Sequence, residues 1–106
     1  MKKIIDEICK GYAPYEFIIQ KALDLHKNNN SITFRELIDL LNSNGIYDYA
    51  TERGVSCAIR EIFRRSVIAY RDYDKEGDFD KKDKADMICE AVAFAYTRNN
   101  GDIAWC

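Results

Sequence analysis

One proline and five glycines among 106 residues leave little room for disorder or for a loop-dominated fold. Long apolar runs are missing too: nothing approaches the ~20 residues of a membrane span. In the opening MKKIIDEICKGY, Asp6, Glu7 and Lys10 interrupt the apolar stretch before it reaches the roughly 7–15 residues of a secretory h-region. The chain therefore reads as cytoplasmic. Histidine occurs once, as His26, among helix-forming residues and without a catalytic partner at a recognisable spacing. No Gly-rich phosphate loop, G-x-S-x-G or H-E-x-x-H is present, so the reading is non-enzymatic. The four cysteines, at 9, 57, 89 and 106, form none of the close pairs that zinc or redox motifs use. Cys9, Cys57 and Cys89 fall among apolar neighbours in predicted helices and read as small core residues. A net charge of -2 gives no excess of either sign, which leaves local clusters to decide the partner.

What is present is a charged fraction of 32% and a hydrophobic fraction of 47%, the balance of one globular domain over residues 1–106. The fold class is mainly α with a small β component. A short helix is expected over residues 4–9. Pro14 then opens a second helix to about Lys27, ended by NNNS at 28–31. T-F-R-E at 33–36 is a capping box, and Phe34, Leu37, Ile38 and Leu41 follow at helical spacing up to Asn44-Gly45, giving a helix over 34–43. Thr51 caps a further helix with Val55, Ala58, Ile59, Ile62 and Phe63 on one stripe, although Gly54 in its first turn could move the start to Ser56. SVIAYRDY at 66–73, β-branched and aromatic, reads as a strand slightly better than as more helix. A last helix is expected from about Asp83 to Tyr96, burying Met87, Ile88, Ala91, Val92, Ala95 and Tyr96. Beyond it lie a turn at Asn100-Gly101 and a short extended stretch at Ile103–Trp105.

The stretch SITFRELIDLLNSNGIYDYATERGVSCAIREIFRRSVIAY resembles a helix-turn-helix of the winged-helix kind: strand at 31–32, supporting helix 34–43, recognition helix 51–65, then a strand. The resemblance, over residues 31–70, implies a winged-helix-like domain with a short two- or three-stranded sheet, of the sort found in site-specific recombinases and phage regulators. It implies DNA binding, and Arg53, Arg60, Arg64 and Arg65 on the polar face of 51–65 are the residues to contact bases or phosphates. Such domains also bind proteins. Tyr47 and Tyr49, with Tyr70 and Tyr73, stand near this basic helix as candidate anchors for a protein partner, so a regulator or inhibitor from a phage or mobile element is the alternative. A homodimer is a further option.

A second motif competes for attention. DYDKEGDFDKKD at 72–83 matches the EF-hand calcium loop at each ligand position: Asp72, Asp74, Glu76, Asp78, Asp80 and Asp83, with Gly77 at the bend and Phe79 after it. Asp83 is a methylene shorter than the usual Glu, and Arg71 and Lys84 stand where apolar flanks belong. The other reading of these residues is an acidic connector, in the place of the wing, whose charge would repel a duplex.

Overall fold

The computed structural model describes residues 1–97, which form five helices and a minimal sheet. The turn expected at Asn100-Gly101, the stretch Ile103–Trp105 and Cys106 lie outside the described residues. Helix α1 spans Lys2–Cys9 and buries Ile4, Ile5, Ile8 and Cys9. Lys10 and Gly11 both take positive φ, 50° and 79°, and turn the chain into α2, Ala13–Lys27, with Pro14 in its first turn. Pro14 fits there because the first helical amides have no acceptor to lose.

Strand β1, Ile32–Thr33, leads straight into α3, Phe34–Ser43. The capping box is formed: Thr33 Oγ1 accepts from the Glu36 amide at 3.2 Å, and the Thr33 amide donates to Glu36 Oε1 at 3.4 Å. Gly45, at φ 68°, follows the helix end. The next helix, α4, runs Glu52–Glu76 and is capped by Thr51, whose Oγ1 accepts from the Gly54 amide at 3.0 Å. Gly54 does not delay this helix, because the cap itself uses it: a Cβ there would sit 3.1 Å from Thr51 Oγ1. Small size lets the hydroxyl reach the amide.

The predicted strand at 66–73 is instead the continuation of α4. Buried Ser66 donates its hydroxyl to the Ile62 carbonyl at 2.7 Å, so its polar group is satisfied inside the helix and no break results. Val67, Ile68 and Tyr70 carry strand propensity, but tertiary packing overrides it. Helix α5, Phe79–Ala95, starts four residues before the expected Asp83 and follows after only Gly77 and Asp78. Gly77 closes α4 in the left-handed conformation at φ 76°, and Asp78 Oδ1 accepts from the Lys81 amide to open α5.

Helix α5 is the centre of the molecule, packed along α4 on one side and α2 on another. Its buried residues, Ala85, Ile88, Ala91, Val92, Ala93 and Ala95, cover far more than one stripe, as a helix between two others requires. The alanines let neighbours approach closely. Met87, expected inside, is 49% exposed. Strand β2, Tyr96–Thr97, then pairs in parallel with β1, Ile32 opposite Tyr96 and Thr33 opposite Thr97. Fully buried Tyr96 donates its hydroxyl to the Ile18 carbonyl of α2, which ties the sheet to the helical core. The outcome is a mainly helical domain with a two-stranded parallel sheet.

Candidate nucleic-acid interface

Helix α4 sets the geometry of the candidate site. Its buried stripe of Val55, Ala58, Ile59, Ile62, Ser66 and Tyr73 faces the core, so the opposite side is fixed towards solvent. At 100° per residue, Arg53, Arg60, Arg64, Arg71 and Lys75 all fall within about 60° of arc, along a ridge of about 33 Å. All five are exposed. Arg53, Arg60, Arg71 and Lys75 take part in no salt bridge among the described residues. Cys57 and Ile68, also exposed, lie between them on the same side.

Arg64 is held in place by Glu61 through two contacts, Nε to Oε2 at 3.1 Å and Nη2 to Oε1 at 2.8 Å. Hydrogen bonds from Arg64, then from Arg65, pull the Glu61 carboxyl down to about 2. The same pairing raises the Arg64 guanidinium above its ordinary value. Arg64 nonetheless keeps 65% of its side chain open to solvent.

Arg65, the fourth arginine read from the sequence, points elsewhere. It donates to Glu61 at 3.1 Å and to the Ile8 carbonyl at the end of α1 at 3.1 Å, and it lies over the Tyr15 ring at 5.1 Å. Its role is to clamp α4 onto α1 and α2. Arg71 and Lys75 were missed for one reason: ending the helix at residue 65 hid the 7-4-7 spacing of Arg53, Arg60, Arg64 and Arg71. That spacing was the available signal.

The two tyrosines also separate. Tyr49 is 83% exposed and, with Arg35, Ile38, Asp39, Ala50, Thr51 and Glu52, lines a depression of about 320 Å³ between α3 and the start of α4. Tyr47 packs half-buried against the core; burial, then a hydrogen bond with Tyr12, pushes its hydroxyl pKa up. Tyr73 is buried and Tyr70 half-buried on α4 itself, with Lys81 and Lys82 over their rings at 5.6 Å and 5.3 Å.

The twelve residues with EF-hand spacing form no loop. Asp72, Asp74 and Glu76 are on the last turns of α4, Asp78 is the cap of α5, and Asp80 and Asp83 are on its first turns. A helix turns Asp74 about 200° away from Asp72, so ligands that converge in a loop diverge here. Lysines answer several of these acids: Lys82 with Asp74 at 2.8 Å, Lys84 with Asp80 at 3.0 Å, and Lys81 with Asp78 at 3.8 Å. Among the described residues no group of three or more His, Cys, Asp or Glu side chains is placed to hold a metal ion. The calcium reading is thereby corrected. The place of a wing is taken by the α4–α5 helical hairpin.

The cysteines divide as well: Cys9 is buried, Cys89 half-buried, and Cys57, expected in the core, is exposed. His26 is half-exposed at the end of α2, 3.9 Å from Glu90. No helix among the described residues is long and apolar enough to cross a membrane.

No family model, curated protein or solved structure matches the chain.

Proposed function

We propose that this protein is a non-enzymatic cytoplasmic regulator that binds duplex DNA through the exposed face of α4. The observation that carries the reading is the alignment of Arg53, Arg60, Arg64, Arg71 and Lys75 on one side of a single rigid helix. A ridge of about 33 Å is longer than the ~12 Å width of the major groove, so these cations reach phosphates on both sides of it. Contacts of that kind give affinity and register rather than sequence discrimination. The resemblance to winged helix-turn-helix domains over residues 31–70 supports the same reading, with α3 as supporting helix and the first half of α4 nearest the bases.

Fluorescence anisotropy of a labelled duplex, titrated over a series of salt concentrations, tests this. Affinity falls as salt rises, with a log–log slope of about -0.9 per phosphate neutralised. Replacing Arg53 and Arg60 together by Ala weakens binding to all sequences alike and lowers the slope by about 2. Absence of duplex binding by the wild type at low salt sinks the proposal. A protein partner is the second reading, favoured by Tyr49, 83% exposed beside Arg35 and Glu52 at the start of α4, and by Ile68, 44% exposed on the α4 face itself. It requires a stoichiometric protein complex that Tyr49→Asp abolishes.

A further inference from the structure

The side of the molecule formed by α2 and α5 has the opposite character from the α4 ridge. A groove of about 790 Å³ runs between these helices, with Met1 at its edge. Its apolar lining is Met1, Leu23 and Met87, and Met87 is 49% exposed. Four carboxylates, Asp24, Asp83, Asp86 and Glu90, rim it, against one lysine, Lys27, and His26. Among the described residues, Asp24, Asp83 and Asp86 take part in no salt bridge, and Glu90 meets only His26 at 3.9 Å. Along α5, Asp83, Met87, Glu90 and the 54% exposed Phe94 fall on one stripe, and the apolar surface therefore continues past the groove. These residues play no part in the α4 ridge.

A trough between two helices with an apolar floor accepts a third helix, whose anchors enter at i, i+3 or i+4 and i+7. Methionine at the floor suits such a guest, because its unbranched thioether side chain adapts to differently shaped aliphatic groups. The rim selects charge: an acidic guest would be repelled by four carboxylates, whereas Lys or Arg flanking the apolar anchors would pair with them. We infer that the α2–α5 groove docks a basic amphipathic helix of a partner protein, with aliphatic anchors on Leu23 and Met87 and cations on Asp24, Asp83, Asp86 and Glu90. The protein then has two faces, and the groove leaves the α4 face free while occupied.

The probe is a synthetic amphipathic helix of Leu and Lys, compared with a scrambled peptide of the same composition and with a Leu/Glu version. Calorimetry gives the affinity, and amide chemical-shift mapping on the intact protein gives the location. The expected result is one-to-one binding of the Leu/Lys helix, with shifts at Leu23, Asp83, Met87 and Glu90. The scrambled peptide binds at least tenfold more weakly, and the Leu/Glu peptide does not bind. Met87→Asp lowers affinity about tenfold, and the milder Met87→Ala lowers it less; Met87 is 49% exposed, and unchanged circular dichroism verifies the fold. Equal binding of the scrambled peptide overturns the proposal, since general charge attraction would then account for it. So does a footprint elsewhere, or sedimentation data in which the groove is covered by a second copy of the chain.

Discussion

Glu61 holds two arginines of different purpose, one turned to solvent and one turned inwards, and its ionisation can be followed. With its carboxyl pulled from 4.5 down to about 2 in the folded protein, the stabilisation it gives is complete above the unfolded value and is lost as pH falls from 4.5 through about 2. Glu61→Gln removes that dependence. In urea titrations the wild type is therefore the more stable at neutral pH, and the gap between the two narrows steadily across that window. A gap that stays constant from neutral pH to pH 2 counts against the pairing. The thiols offer a second check at this scale. Burial, with nearby carboxylates adding to it, pushes the Cys9 and Cys89 thiols up to about 11, while Cys57 stands exposed on α4. Thiolate is the reactive form, so iodoacetamide at mildly alkaline pH labels Cys57 well before Cys9 or Cys89, as peptide mass mapping would record.

Among the elements, the α4–α5 hairpin depends on one backbone conformation. Gly77 sits at φ 76°, and a Cβ added there would meet no atom within 4 Å, so the cost of substitution is conformational and not steric crowding by neighbours. Gly77→Ala should destabilise by about 1 kcal/mol and Gly77→Asn by less, because Asn tolerates the left-handed region better. Denaturant midpoints measure both. This hairpin is also where the sequence and the structure part company most. Glu-Gly-Asp at 76–78 holds a left-handed stop followed by an N-cap, a legible signal for two abutting helices. The acids at alternate positions drew the reading towards a metal loop, yet alternation along a sequence becomes divergence once the backbone is helical. Elsewhere local chemistry sufficed. The capping box at Thr33 and Glu36 and the Thr51 cap are both present, and α3 has its expected limits of 34 and 43. What local chemistry could not reveal was Ser66, whose hydroxyl returns to its own helix, and the burial of α5 from two sides, which exposes Met87 on the one side that remains. The arginine ridge was half legible for the same reason: its first three members lie before residue 66 and its last two beyond it.

At the scale of the whole molecule, the two long-range features are a basic α4 ridge and an acidic α2–α5 groove within a body of 40 × 27 × 22 Å. Charges so close cannot act independently on an approaching polyanion at low ionic strength. The Debye length is about 30 Å at 0.01 M salt, comparable with the molecule, but about 8 Å at 0.15 M, where each face is screened from the other. If α4 is the DNA face, the carboxylates of the groove slow the encounter in dilute salt without touching the duplex. Asp83→Asn with Asp86→Asn removes two of them and leaves every arginine in place. Stopped-flow association with duplex DNA should then be faster than wild type by about two- to threefold at 0.01 M salt and indistinguishable from it at 0.15 M, with dissociation unchanged at both. A change in the dissociation rate instead would mean that Asp83 or Asp86 lies against the bound duplex, and the binding face would have to be moved from α4 towards α5.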